Sequence, residues 1–146
     1  MIKSLVVTVI GPDRPGLVSL LSDRARGFGA NWAASRMASL AGQFAGIVHF
    51  EVPAENARAL AEALAGLQSA GLRVVIAESD AKGSPGKRRL VRLELVGQDR
   101  PGIMRDLSAA LAERGVRIDE LHTDIAAQVV PQTLSDNDLR RRLRAL

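Results

Sequence analysis

The sequence predicts an α+β protein made of two similar units that follow one another along the chain. The six-residue pattern Gly-x-Asp-Arg-Pro-Gly occurs at Gly11 and again at Gly97, each time after a short apolar run that is typical of a strand. Each copy continues with apolar residues at helical spacing and then a stopping glycine, Gly29 in the first copy and Gly115 in the second. We interpret the chain as a tandem duplication.

The first copy is predicted to have the order strand, helix, strand, strand, helix, strand. The predicted elements are a strand over 5–10, a helix from the motif to Gly27, strands over 31–40 and 44–52, a helix over 54–70 and a strand over 72–77. Gly42 allows a hairpin between the second and third strands, and Pro53 ends the third. This order is that of a ferredoxin-like fold, βαββαβ, in which two helices cover one face of an antiparallel sheet.

The second copy is predicted to be truncated. A strand over 116–127 is followed by residues 128–131, which are too few for a full strand and end at a proline. Ser135 and Asp138 resemble a capping box, so a helix with Leu139, Leu143 and Leu146 on one stripe is expected to end the unit. The expected order is βαβ(β)α. The predicted division is a first domain over 1–79, a polar linker over 80–87 and an incomplete second domain over 88–146.

Composition excludes several classes of function. The chain has no cysteine, which excludes disulfides and cysteine-ligated metal sites, and it has two histidines, so neither a metal nor another cofactor is expected. No apolar run approaches the ~18 residues that span a membrane. The N-terminus shows no secretory signal, so a cytoplasmic protein is expected.

The sequence contains no recognisable catalytic motif. It has neither a phosphate-binding loop nor a nucleophile elbow, and its acidic residues follow no metal-ligand spacing. His122 and Asp124 share a face if they lie on a strand, but such a pair is more often on the surface than engaged in acid–base work. His49 is interpreted as the solvent-side residue of an alternating strand. We therefore predict that the chain is not an enzyme.

The repeated motif lies where the first strand of each unit passes into a helix. Asp13 is predicted to be the helix N-cap, with Arg14 and Pro15 at early helical positions. Gly16 leaves the backbone open, so that a carboxylate can approach the amides at the positive end of the helix. The same residues also make a good helix start without a ligand, and their spacing alone leaves both interpretations open.

Gly-Pro-Asp-Arg-Pro-Gly-Leu-Val after the first strand, followed by Phe-Gly-Ala-Asn-Trp at the start of the second, resembles the ACT domain. Two such domains in tandem resemble the glycine cleavage system transcriptional repressor family. The resemblance covers the first copy throughout and the second from Leu90 to about Ala127. It implies a regulatory sensor of small molecules, usually amino acids, with ligands at interfaces between paired domains. The residues to which it assigns ligand binding are Asp13, Arg14, Pro15, Gly16, Leu17, Asn31, Asp99, Arg100, Pro101, Gly102 and Ile103. In the second copy, Arg117 stands at the position of Asn31, at the start of the strand that follows the helix.

The predicted function is an amino-acid-binding regulator, with glycine or serine as the expected ligand. Through a protein partner, it would act in transcriptional control of glycine and one-carbon metabolism. A homodimer is expected because the truncated unit leaves strand edges unpaired. The alternatives are a nucleic-acid-binding module of the same element order and an oligomerisation partner of a metabolic enzyme.

The basic charge of the chain raises nucleic acid as a partner. The formal net charge is +4, and arginines cluster at 140–144, a run interpreted as a solvated helix end. Residues 42–50 faintly resemble the third strand of RNA-recognition domains. Aromatic residues make up 3% of the chain, too few for a base-stacking surface, so direct nucleic-acid binding is not the favoured interpretation.

Overall fold

The computed structural model describes residues 1–79, 89–98, 100–126 and 140–145. For residues 125–126 and 140–145 it describes the backbone only. The chain divides into two compact units, Met1–Ser84 and Pro85–Leu146. The predicted linker over 80–87 lies outside the described residues. None of the described helices is long and apolar enough to cross a membrane.

Unit 1 has the predicted order of strands and helices. Its elements are β1 (Ile2–Pro12), α1 (Leu17–Arg26), β2 (Asn31–Leu40), β3 (Gln43–Pro53), α2 (Ala54–Ala65), a 3₁₀ helix (Gly66–Ala70) and β4 (Arg73–Ser79). The sheet is antiparallel in the order β2-β3-β1-β4. The predicted α+β, ferredoxin-like fold is confirmed for this unit. The single helix predicted over 54–70 instead changes to 3₁₀ geometry at Gly66.

The core of unit 1 lies between one face of the sheet and the two helices. Alternate residues of β1 and β3 point into it, because successive side chains of a strand face opposite sides. The fully or nearly fully buried apolar residues are Leu5, Val7, Val9, Leu17, Leu21, Ala25, Phe44, Val48, Phe50, Val52, Ala57, Leu60, Leu64, Leu67 and Leu72. On the opposite face Thr8, Ile10 and Ile47 are exposed, so this face of the sheet is uncovered in the described residues.

Unit 2 has four elements in its described residues. They are β5 (Leu93–Gln98), α3 (Ile103–Glu113), β6 (Leu121–Ala126) and β7 (Arg140–Ala145). The strand order is β5-β7-β6, with both pairings antiparallel. β7 therefore lies between β5 and β6, as β3 lies between β1 and β2. The strand predicted over 116–127 begins later, at Leu121.

The predicted C-terminal helix is wrong. Residues 140–145 form a strand whose backbone pairs with β5 on one side and β6 on the other. The spacing of Leu139, Leu143 and Leu146 matched a helix, but pairing with two neighbouring strands overrides such a short local pattern. The arginines at 140–144 are therefore not a helix end. Residues 128–131, Ser135 and Asp138 lie outside the described residues. The described order of unit 2 is βαββ instead of βαβ(β)α.

Candidate functional site

The turn between β1 and α1 is shaped differently from the prediction. α1 begins at Leu17 and its N-cap is Gly16, with φ of 88° and no side-chain cap hydrogen bond. Asp13 is therefore not the N-cap, and Arg14 and Pro15 precede the helix. The amide of Asp13 instead donates to the carbonyl of Gly42 at 3.0 Å. Glycine adopts the left-handed conformation at no steric cost. Gly16 therefore occupies the N-cap position, and no side chain caps the helix.

Backbone amides without a helical acceptor lie at the start of α1. The first hydrogen bond of the helix runs from the amide of Leu20 to the carbonyl of Gly16, at 2.9 Å. The amides of Leu17, Val18 and Ser19 therefore have no acceptor within the helix. They lie at the positive end of the helix dipole, which favours an anionic group. A Cβ built on Gly16 meets no atom within 4 Å, so the space beside this backbone is open.

Two long-range contacts hold the turn in place. Nη2 of Arg14 donates to the carbonyl of Ala70 at 2.7 Å, which joins the turn to the end of the 3₁₀ helix. The Asp13–Gly42 hydrogen bond joins it to the β2–β3 hairpin. Ala70 and Gly42 were not predicted as part of this region, because no sequence pattern connects them to the motif.

Asn31 lies far from this turn within unit 1. It is the first residue of β2 and lies opposite Glu51 of β3. Glu51 in turn lies opposite Ser4, near the start of β1. The turn follows Pro12 at the other end of β1, about 27 Å further along the strand at ~3.4 Å per residue. The exposed side chain of Asn31 donates from Nδ2 to Oε2 of Glu51 at 3.5 Å. One unit therefore does not bring Asn31 and residues 13–17 together.

The second motif repeats the backbone geometry of the first. Gly102 is the N-cap of α3, with φ of 82°, and its carbonyl accepts from the amide of Asp106 at 3.0 Å. Arg100 contacts different partners from those of Arg14, because its Nη2 donates to Oδ2 of Asp106 at 2.8 Å. Pro101 is exposed and Ile103 is half-buried. Asp99 lies outside the described residues.

A four-stranded antiparallel sheet with two helices on one face, and a glycine-capped helix that begins after the inner strand β1, defines a ferredoxin-like α+β unit. The family model of the ACT domain matches residues 3–76. The match covers half of the chain, and the chain therefore belongs to the ACT domain family.

Solved structures resemble the whole chain. A structure described as that of an unknown protein from Galdieria sulphuraria is 30% identical, with a TM-score of 0.78, over 99% of this chain and 81% of that one. A protein provisionally described as a glycine cleavage system transcriptional repressor is 20% identical, with a TM-score of 0.69, over 99% of this chain and 80% of that one. At this identity the second match is evidence of a shared fold. Comparison with curated proteins finds no match.

Proposed function

We propose that this protein is an amino-acid sensor that binds a small amino acid at the turn formed by residues 13–17. The observation that carries the proposal is the open backbone at Gly16, beside three amides with no acceptor inside the helix. An α-carboxylate is one of the anionic groups that such a helix start binds. Glycine and serine are the first candidates, since a short side chain fits a shallow site next to a main chain.

The ammonium group of the ligand requires acceptor oxygens. Asp13 is exposed within the same turn, and Asn31 is exposed at the start of β2. Because these two residues lie at opposite ends of one sheet, we propose that Asn31 comes from a second ACT unit.

The position of β2 supports this arrangement. It is an edge strand, so the backbone groups on its outer side are open to pairing with another strand. Antiparallel pairing of two β2 edges would place Asn31 of one unit opposite Leu40 of the other. Leu40 is close in sequence to Gly42, whose carbonyl holds the turn through Asp13. A homodimer with two equivalent sites would follow from this symmetry.

The second motif is proposed as a related but altered site. Gly102 presents the same left-handed N-cap, and residues 99–103 repeat the motif of the first unit. Arg100 is paired with Asp106 and Arg117 stands in place of Asn31. A second cation near the ammonium of an amino acid is unfavourable, so we expect the first site to bind more tightly.

Regulation would follow from ligand-dependent pairing of units. Pairing across β2 changes which surfaces are available to another protein, and the proposed output is contact with a regulatory protein partner. Transcriptional control of glycine or one-carbon metabolism is the setting we propose for it.

Calorimetric titration with glycine and with serine tests the ligand site. The wild-type chain should bind one of them, and Gly16→Leu should lose the binding because its side chain occupies the open space beside the amides. Gly71→Leu is the matched control, since Gly71 has φ of 84° and also has no atom within 4 Å of a built Cβ. Both variants place leucine at a similar positive φ, so the control separates backbone strain from the loss of the site. Equal affinity in Gly16→Leu and wild type would refute the site.

A further inference from the structure

The two copies of the motif differ in the charge of the helical turn that follows them. The first turn of α1 consists of Leu17, Val18, Ser19 and Leu20, and it carries no acidic residue. The first turn of α3 contains Asp106, which corresponds to Leu20 in the internal repeat. A carboxylate in this position is favourable, because it lies at the positive end of the helix dipole. Unit 2 therefore supplies, from its own chain, the type of group that the first motif is proposed to bind.

The arginines of the two motifs contact different groups. Nη2 of Arg14 donates to the carbonyl of Ala70, and within residues 1–79 this arginine contacts no carboxylate. The guanidinium of Arg100 contacts both the turn and the helix of its own motif. Its Nη2 donates to Oδ2 of Asp106 at 2.8 Å, and its Nη1 donates to the carbonyl of Pro101 at 3.4 Å. Arg100 therefore holds the carboxylate of Asp106 beside the start of α3.

The backbone amides at the start of α3 are also less available than those of α1. The amide of Ile103 donates to the carbonyl of Arg100 at 3.4 Å, whereas Leu17, its equivalent, makes no such bond within residues 1–79. The amide of Asp106 makes the first hydrogen bond of the helix. The amides of Met104 and Arg105 are then left without a helical acceptor. These two amides are the groups at which a carboxylate would have to bind in unit 2.

We propose that Asp106 is an internal substitute for the carboxylate of a ligand and keeps free carboxylates away from the second motif. Its negative charge satisfies the start of α3, and its pairing with Arg100 occupies the cation that another anion could use. The inference rests on the proposed use of the first motif as a carboxylate site. It makes Asp106 the residue that decides which copy of the motif binds an amino acid.

Two other charged positions do not account for this difference. Asp13 of the first motif has a counterpart in the sequence of the second, Asp99, so an aspartate precedes both helices. Arg117 stands in place of Asn31, the residue proposed to meet the ammonium group of the ligand, and so it does not act on the carboxylate. A ligand that has a carboxylate and no ammonium group therefore isolates the effect of Asp106.

The test is an NMR titration of the full chain with acetate, in which the signals of the backbone amides are followed. In the wild type, the amides of Val18 and Ser19 should shift saturably, and those of Met104 and Arg105 should not. Asp106→Asn removes the charge and retains the size of the side chain. In this variant Met104 and Arg105 should respond as well, with an affinity for acetate about fivefold or more above the limit set by the wild type. Chloride at the same ionic strength corrects for general screening.

Glu113→Gln is the matched control. Glu113 is an exposed residue at the other end of α3, so its replacement changes the net charge of the chain by the same amount and leaves the start of the helix intact. The amides of Met104 and Arg105 should be as insensitive to acetate in this variant as in the wild type.

Saturable shifts of Met104 and Arg105 in the wild type would overturn the inference, as would equal responses in Asp106→Asn and Glu113→Gln. A parallel titration of the wild type with glycine separates this result from the proposed function. If glycine leaves the amides of Val18 and Ser19 unmoved, amino-acid binding at the first motif is refuted. The response of the second motif to acetate, compared between wild type and Asp106→Asn, still decides the role of Asp106.

Discussion

The guanidinium of Arg14 donates a hydrogen bond of 2.7 Å to the carbonyl oxygen of Ala70. This contact joins the turn after β1 to the end of the 3₁₀ helix, so the first motif is held by a distant part of the same unit. Arg100, its equivalent in the second motif, donates at 2.8 Å to Asp106 of the adjacent helix. The described residues of unit 2 contain no counterpart of the 3₁₀ helix. The same motif is therefore anchored across the fold in unit 1 and locally in unit 2.

Replacement of Arg14 by methionine should lower the free energy of unfolding by about 1 kcal/mol, because the carbonyl of Ala70 loses its hydrogen-bond donor. Arg100→Met removes an exposed ion pair, in which the two side chains are 57% and 60% exposed, and should cost less than about 0.5 kcal/mol. Urea denaturation of the two variants measures the difference. An equal loss in both would show that Arg14 does not anchor the turn.

Gly11→Ala should destabilise the protein by about 1–3 kcal/mol through overpacking. A Cβ on Gly11 would lie 2.8 Å from the carbonyl oxygen of Gly71 and 2.9 Å from Cδ2 of Leu72, and the backbone atom cannot move aside. Gly97 occupies the same place in the second motif, where a Cβ meets no atom within 4 Å. Gly97→Ala should therefore change stability by less than about 1 kcal/mol. A thermal shift of similar size in both variants would contradict this account of Gly11.

Local patterns predicted most of unit 1. The apolar run over 5–10 predicts a strand that is nearly apolar on both faces. The structure has that strand, but only the face with Leu5, Val7 and Val9 is buried, while Thr8 and Ile10 are exposed. The sequence predicts open backbone at Gly16, but it does not predict that Gly16 is the helix N-cap. Asp13 is a strong N-cap residue by propensity, but its amide is fixed by Gly42, and the helix therefore starts only after the left-handed Gly16.

Long-range pairing could not be predicted in the same way. The strand formed by residues 140–145 depends on two partners far away in the sequence, whereas the spacing of Leu143 and Leu146 is a local helical pattern. The separation of Asn31 from the turn follows from the register of β2, β3 and β1, which no motif encodes. The partner of Arg14 is equally remote, since Ala70 is an unremarkable helix residue in the sequence.

His49→Leu should leave the free energy of unfolding unchanged or raise it by up to about 1 kcal/mol. Nε2 of His49 is buried and has no hydrogen-bond partner among the described residues, and an unpaired buried polar atom carries a desolvation cost. His49 lies opposite Val6 in β1 and Ala34 in β2, both compatible with an apolar side chain. His122→Leu is the control, because His122 is exposed and contacts Glu120 at 3.1 Å. A loss of more than about 1 kcal/mol in His49→Leu, measured by urea denaturation, would show that this ring has a partner in solution.

Trp32 should report amino-acid binding, because it follows Asn31 on the edge strand β2 and is the single tryptophan of the chain. Its ring packs edge-on against Phe50, with centroids 5.3 Å apart and planes at 76°, while part of it remains accessible. Pairing of two β2 edges around a ligand would change the solvation of this ring. We therefore expect tryptophan emission to change saturably with glycine or serine, at the same concentrations as the calorimetric signal. Gly16→Leu should abolish the change and Gly71→Leu should retain it. Calorimetric saturation with constant Trp32 emission would place the bound amino acid away from β2 and contradict the shared site.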